Sequence, residues 1–201
     1  MSDATSTDET KPMPSFYTAQ IGSQQVELPI VPVSDSLLIA LMMIIDHGVE
    51  FAAKAGAELA GHFAAMQPEI VVAPATLGIP LAIEVTRSLG LDDYLILQKT
   101  RKIHLRDALS EPVTAITSEG SQSLLLDRNR IPSVAGRRTL FVDDVISTGS
   151  STAAALRLLA AAGADVVGVG ALLTESDAWR EPLSEYADRI FALGSIPVFP
   201  R

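Results

Sequence analysis

A doubly wound α/β fold, with a mainly parallel sheet flanked by helices, is predicted by three observations. Short apolar runs alternate with Ala- and Leu-rich stretches at helical spacing from Glu69 onward. The runs "EIVVAPA", "YLILQKT", "RTLFVDD" and "DVVGVGALLTE" are almost continuously apolar until their ends, as strands covered on both faces must be. Glycines punctuate the ends of the helical stretches, at Gly90 and Gly163. With 201 residues, 48% of them hydrophobic, the chain has material for one α/β-sized core.

In chain order, "MSDATSTDETKPMPS" is polar and acidic, and residues 1–19 are expected to be a disordered tail ahead of one domain over 20–201. Ser34 or Asp35 caps a predicted helix through "LLIALMMIIDHG", stopped by Gly48. A second helix follows in "VEFAAKAGAELAGHFAAM", then the strand "EIVVAPA" after Pro68. The helix "IPLAIEVTRSLG" leads to the strand "YLILQKT". "AITSEGSQSLLLD" reads as a hairpin with glycine at its turn. After the strand "RTLFVDD" come the helix "SSTAAALRLLAAAGA", the strand "DVVGVGALLTE", and "RIFALGSIPVF" to finish the sheet.

Composition narrows the chemistry. The chain has no cysteine, so disulfides, thiolate catalysis and Cys-based metal sites are excluded. His47, His62 and His104 are scattered without metal-ligand spacing, and no protein metal site is expected. A net charge of −9 argues against nucleic acid as the main partner, because phosphate backbones select a basic face. The apolar run Leu37–Ile45 is too short to cross a bilayer, and the N-terminal stretch has no apolar signal region. A soluble, cytoplasmic protein without a membrane partner is the expectation.

The stretch "TLFVDDVISTGSST" concentrates the functional signal. In a doubly wound sheet ligands bind outside the carboxyl ends of the strands, which puts Asp143 and Asp144 at the active edge. Adjacent carboxylates repel, so something there must offset them: ribose hydroxyls, a divalent cation or a nearby lysine. The residues after them are small and lead straight into a helix, whose N-terminal N–H groups and dipole suit a phosphate. One loop thus offers carboxylates for vicinal hydroxyls and a phosphate cradle a few residues on, the spacing of a ribose 5-phosphate. There is neither a G-x-G-x-x-G after a first strand nor a G-x-x-x-x-G-K, which argues against a dinucleotide or nucleoside triphosphate domain.

"FVDDVISTGSST" resembles the phosphoribosyl diphosphate (PRPP) motif of the type I phosphoribosyltransferases. The resemblance implies that Asp143 and Asp144 contact the ribose hydroxyls and that Ser147, Thr148, Gly149, Ser150 and Ser151 hold the 5-phosphate. Ser150 stands where many relatives have a second glycine. "IVVAPATLGIPLAIEVTRSLG" is similar to the pyrophosphate loop of the adenine, xanthine and purine-regulator branch, which implies that role for Ala75, Thr76, Leu77 and Gly78. Relatives often carry an acidic residue at the Ala75 position and a polar or basic one at Leu77. "YLILQKTRKIHLRD" resembles the family's strand ending in basic residues before a mobile loop; Lys99, Arg101 and Lys102 would meet the pyrophosphate, Arg101 as a catalytic cation. The hairpin behind it would be the flexible cover. "LPIVPVSDSLLIALMMIIDHG" looks like the small "hood" and first helices of purine-type members. Glu175, where xanthine-type relatives have a lysine nearby, would accept an amino or ring N–H of the base. Trp179 and Phe199 are read as core or hood packing ahead of base stacking.

The function so implied is transfer of the ribose 5-phosphate of PRPP, bound with Mg²⁺, to a purine base, adenine foremost, in a homodimeric enzyme of purine salvage. A regulator that senses PRPP without catalysis is the alternative.

Overall fold

The computed structural model describes residues 15–100, 107–113 and 122–200. Its centre is a five-stranded, fully parallel sheet built from β4 (Ile70–Pro74), β5 (Tyr94–Leu97), β8 (Arg138–Ile146), β9 (Asp165–Glu175) and β10 (Ile190–Ile196). Their order across the sheet is β10-β9-β8-β4-β5. Every residue of β4 is buried, as is β8 from Thr139 to Asp143. Both faces are therefore covered, the physical reason these strands read as unbroken apolar runs.

Helices α1 (Gly48–Phe63) and α2 (Gly78–Ser88) cover one face, with Leu59, Phe63, Leu81 and Val85 in a core shared with Val71 and Leu140. On the other face α3 (Ser150–Ala161) packs Leu156, Leu158 and Leu159 with Val72, Phe141 and Val169. That layer also receives the antiparallel hairpin of β6 (Ala108–Val113) and β7 (Gln122–Asp127), through Leu124 and Leu126. Gln98 and Leu125 exchange backbone hydrogen bonds of 2.9 and 2.8 Å, so β7 shields the free edge beyond β5.

The connections locate the site. β4 continues through α2 on one face and β8 through α3 on the opposite face, although β4 and β8 are neighbours. Their loops diverge and leave a crevice at the carboxyl ends of both strands. This is the topological switch point, where open α/β sheets bind ligands.

A second, four-stranded sheet is the hood: β1 (Phe16–Ile21), β2 (Gln24–Ser34), β3 (Leu37–Ala40) and β11 (Val198–Pro200), antiparallel throughout. It corrects three expectations. Phe16–Ala19 are strand and not tail, with Ala19 and Ile21 buried and alternating with exposed Thr18 and Gln20. Leu37–Ala40 form a strand between β2 and β11, and only Ile44–His47 make a helical turn, of the 3₁₀ type. The run "LLIALMMII" is apolar on all sides, so it carries no period, and pairing on both edges decides for strand. "RIFALGSIPVF" is two strands: Pro197 interrupts the ladder after Ile196, and β11 leaves the main sheet to pair with β3. The expected hairpin is present, but its outgoing arm is Ala108–Val113 and residues 114–121 lie outside those described.

The hood is tied down at the β1–β2 turn. Gly22 N–H donates to the Leu193 carbonyl at 2.9 Å, and Ser23 donates both its backbone N–H, at 3.0 Å, and its hydroxyl to the Glu58 carboxylate on α1. Glu58→Ala removes both acceptors of that turn. It is expected to lower stability by about 1 kcal/mol, the net worth of such bonds at a surface, as read by thermal or denaturant unfolding.

Candidate active site

The crevice between β4 and β8 is walled by two loops that the sequence singles out. Asp143 lies on β8 in register with Ala171 of β9, its side chain only 7% exposed. A side-chain carbon on Gly78, the first residue of α2, would sit 3.5 Å from Asp143 Oδ1. The start of α2 and the buried carboxylate are thus in direct apposition. Asp143 Oδ1 accepts the Asp144 backbone N–H at 2.9 Å. Burial pushes the Asp143 carboxyl well above the usual carboxylate range, and the Asp144 charge and side-chain hydrogen bond push the same way. The Asp144 N–H and the positive charge of Lys99 act against that rise. Lys99, just past the end of β5, therefore acts electrostatically on this site. Asp144 is partly exposed at the crevice.

The loop after β4 is Ala75-Thr76-Leu77, with a cis peptide between Ala75 and Thr76. Ala75 N–H donates to the Leu97 carbonyl at 2.8 Å, which ties the loop to the end of β5. Thr76 is exposed, Ala75 and Leu77 are half-buried, and Leu77 packs on the α1–α2 core. Among the described residues the N–H groups of Thr76, Leu77 and Gly78 have no backbone acceptor. They stand free for an anion at a helix start. The apolar side chains of Ala75 and Leu77 add no charge there. Of the expected basic residues Lys99 is placed by the structure, and Arg101 and Lys102 lie outside the described residues.

The loop after β8 is Ser147-Thr148-Gly149. Gly149 takes the left-handed conformation (φ 78°) and starts α3, whose first N–H groups open toward the loop. Thr148 Oγ1 and Ser150 Oγ lie 3.1 Å apart, so one hydroxyl proton of the pair remains for another acceptor. The loop is backed by Trp179 and Pro182, each within about 3.1 Å of where a Gly149 side chain would begin.

Glu175 ends β9 and is 6% exposed. Its Oε2 accepts the Ser147 hydroxyl at 2.5 Å. That partner turns Glu175 Oε2 toward the loop after β8. Trp179 is buried behind the same loop, and Phe199 packs edge-on against Tyr17 in the hood at 5.7 Å, so both are packing residues. The backing segment 176–183 is the element beside this loop that sequence reasoning missed. Its signal was the chain's single tryptophan four residues after Glu175, which has meaning only once β9 returns the chain beside β8.

Among the described residues no group of three or more His, Asp or Glu side chains is arranged to hold a metal ion. Asp143 and Asp144 by themselves suit Mg²⁺ carried in by a phosphorylated ligand, since Mg²⁺ keeps several waters and needs only one or two carboxylates. The buried Asp143 carboxylate, short of compensating charge, fits such a visitor.

Comparison with known proteins agrees with this geometry. A family model described as "Phosphoribosyl transferase domain" matches residues 45–200. The chain is 30% identical over 120 residues to an orotate phosphoribosyltransferase of Caldanaerobacter subterraneus subsp. tengcongensis, a match spanning 60% of this chain and 52% of that protein. The chain thus spans about half the length of that relative. It is 28% identical over 142 residues to a xanthine phosphoribosyltransferase of Agathobacter rectalis, covering 70% of this chain and 73% of the relative. Its fold is similar to the crystal structure of an adenine phosphoribosyltransferase from Thermoanaerobacter pseudethanolicus, with a TM-score of 0.71, 19% identity, and 84% and 95% of the two chains covered. With the matched region running from before α1 to the end of β11, and both loops of the crevice inside it, the chain belongs to the phosphoribosyltransferase family.

Proposed function

We propose that the chain is a purine phosphoribosyltransferase, which joins a nucleobase nitrogen to C1 of PRPP and releases pyrophosphate. The observation that carries this reading is the apposition of Asp143 to the start of α2, with the unpaired N–H groups of Thr76–Gly78 on one side and the start of α3 on the other. A ribose carrying a 5-phosphate on one side and a pyrophosphate on the other spans that arrangement. The base nitrogen forms its bond to C1 as the C1–oxygen bond breaks, pyrophosphate leaves with the electron pair, and the proton of the ring N–H passes to solvent or to the departing pyrophosphate. Asp143 and Asp144 hold the ribose hydroxyls and face the positive charge that develops on the sugar. The Thr76–Gly78 amides and Lys99 receive the leaving group, and the family resemblance assigns Arg101 and Lys102, outside the described residues, to the same task. Mg²⁺ bound with PRPP, when present, neutralises part of the pyrophosphate charge.

A purine is favoured over orotate because the xanthine-type relative is matched over more of its length than the orotate-type one. Adenine comes first among purines, since the solved structures of similar fold include adenine enzymes. A homodimer in the cytoplasm completes the reading; among the described residues no helix is long and apolar enough to cross a membrane. Sedimentation tests the dimer.

A second reading, a PRPP sensor without catalysis, draws on the apolar Ala75 and Leu77, which leave the pyrophosphate loop without charged side chains. One assay separates the two. Pyrophosphate release from PRPP and Mg²⁺ is measured with adenine, guanine, hypoxanthine, xanthine, orotate and uracil in turn. Turnover with a purine, lost in the Asp143→Asn/Asp144→Asn double variant, is the expected result. Turnover with orotate alone would overturn the purine assignment, and PRPP binding without turnover on any base would establish the sensor.

A further inference from the structure

We infer that Glu175 is a positioning residue for the 5-phosphate loop: its buried carboxylate holds the Ser147 hydroxyl and so sets the path of the chain from β8 into α3. This rests on the reading of Ser147–Ser151 as the phosphate cradle. The register places the two groups. Ile146, the last residue of β8, pairs with Thr174, so Glu175 lies beside the point where the chain leaves the sheet to become the loop. The contact is short, at 2.5 Å, and Glu175 is almost fully buried. A hydroxyl to carboxylate bond of this kind is among the stronger hydrogen bonds available to a serine.

The arrangement has a chemical consequence. A serine hydroxyl has one proton to give, and a phosphate can only accept. While Ser147 donates to Glu175, it offers the phosphate its backbone N–H and not its hydroxyl. Its side chain is a fastening, and the Thr148–Ser150 pair keeps one hydroxyl proton for the ligand. The residues after Glu175 complete the support. Ser176 N–H donates to the Ile196 carbonyl at 3.1 Å, and Trp179 Nε1–H to the Ser176 carbonyl at 3.2 Å. That turn carries Trp179 against Gly149. The loop is held at its first residue by Glu175 and at its third by Trp179. A carboxylate this near an anion site repels the ligand, a cost that is intelligible if its purpose is to order the donors that bind it.

The test is calorimetric titration of the full chain with ribose 5-phosphate and, separately, with pyrophosphate, for Glu175→Ala, Glu175→Gln, Ser147→Ala and the Glu175→Ala/Ser147→Ala pair. Glu175→Ala and Ser147→Ala are each expected to weaken ribose 5-phosphate binding about tenfold, the worth of one such bond. The double variant should be no weaker than either single, because both remove one contact. Glu175→Gln keeps an acceptor and should bind within about twofold of the wild type. Pyrophosphate affinity should not move in any of them. Ser147→Ala is a minimal change, so it decides the matter should Glu175→Ala fail to fold. Unaltered ribose 5-phosphate binding in Ser147→Ala overturns the inference. So does ribose 5-phosphate affinity left intact in a folded Glu175→Ala. A wild-type chain that binds no ribose 5-phosphate overturns instead the phosphate-cradle reading beneath it.

Discussion

Asp143→Asn is expected to lose activity and gain stability at neutral pH. The activity side follows from position. Asp143 lies between the two loops that would grip the substrate's phosphates, and its charge is the one a developing cation on the ribose would feel. Removing one preorganised electrostatic contact of that kind costs about a hundredfold or more in kcat/KM. The stability side follows from burial. Asparagine has the same shape, and its Oδ1 still accepts the Asp144 N–H, but it buries no charge beside Asp144. The sign of the pH dependence is fixed by the direction of the shift. Because the folded carboxyl titrates well above its unfolded counterpart, the folded state holds the proton more tightly. In acid, below the unfolded pKa, Asp143 is neutral in both states and contributes its full share of stability. As pH rises, the unfolded chain gives up its proton first and the wild type loses stability, until the folded pKa is passed. The asparagine variant has no such loss, so its melting temperature should pull ahead of the wild type from acid toward neutral pH. Each kcal/mol moves the midpoint of a chain this size by about 2–4 °C. Thermal melts across that range, with kcat/KM measured alongside, check both halves. A gap that stays constant with pH would mean that Asp143 carries no burial cost.

The second large effect is at Gly149. Gly149→Ala is expected to destabilise the fold by about 2–4 kcal/mol, combining the left-handed backbone penalty with overpacking. The new carbon would lie 3.1 Å from Pro182 Cγ, 3.1 Å from Trp179 Cα and 3.2 Å from Leu183 Cγ. Trp179 Cα is backbone and cannot swing aside, so the loop itself must shift, and ribose 5-phosphate affinity should fall with it. Gly163→Ala is the comparison: φ is 77°, nearly the same, but the nearest atom is Ala135 Cβ at 3.9 Å. It should lose only the backbone penalty, about 1–2 kcal/mol, and leave ligand binding untouched. Denaturant unfolding and titration of both variants separate steric crowding from conformational strain. Equal losses in the two would mean that the contact with Trp179 carries no weight.

Much of the core was legible in one dimension. The strands β4, β8 and β9 declare themselves because each buries most of its side chains, and the helices α1, α2 and α3 because each buries one face; burial writes itself as unbroken apolar runs or helical periodicity. "FVDDVISTG" was legible for a different reason: carboxylates, small hydroxyls and a glycine at one strand end have few purposes other than a ligand. The hood was not. β3 is held between the adjacent β2 and β11, which comes from the far end of the chain, and an apolar run without period cannot announce which it will be until both partners arrive.

What the sequence by itself determined is the list of parts: a parallel, doubly wound core, the strand-end stretch "VDDVISTGSS" with its carboxylates and hydroxyls, and the loop at Ala75–Gly78. What only the tertiary structure decided is which parts meet. Exits from adjacent β4 and β8 to opposite faces of the sheet bring Gly78 against Asp143, and the parallel return of β9 brings Glu175 to Ser147, 28 residues away along the chain, and Trp179 to Gly149. Local propensity reads neighbours in sequence, whereas strand order sets neighbours in space. For that reason Glu175 reads in isolation as a base ligand and in the fold as the fastening of a loop.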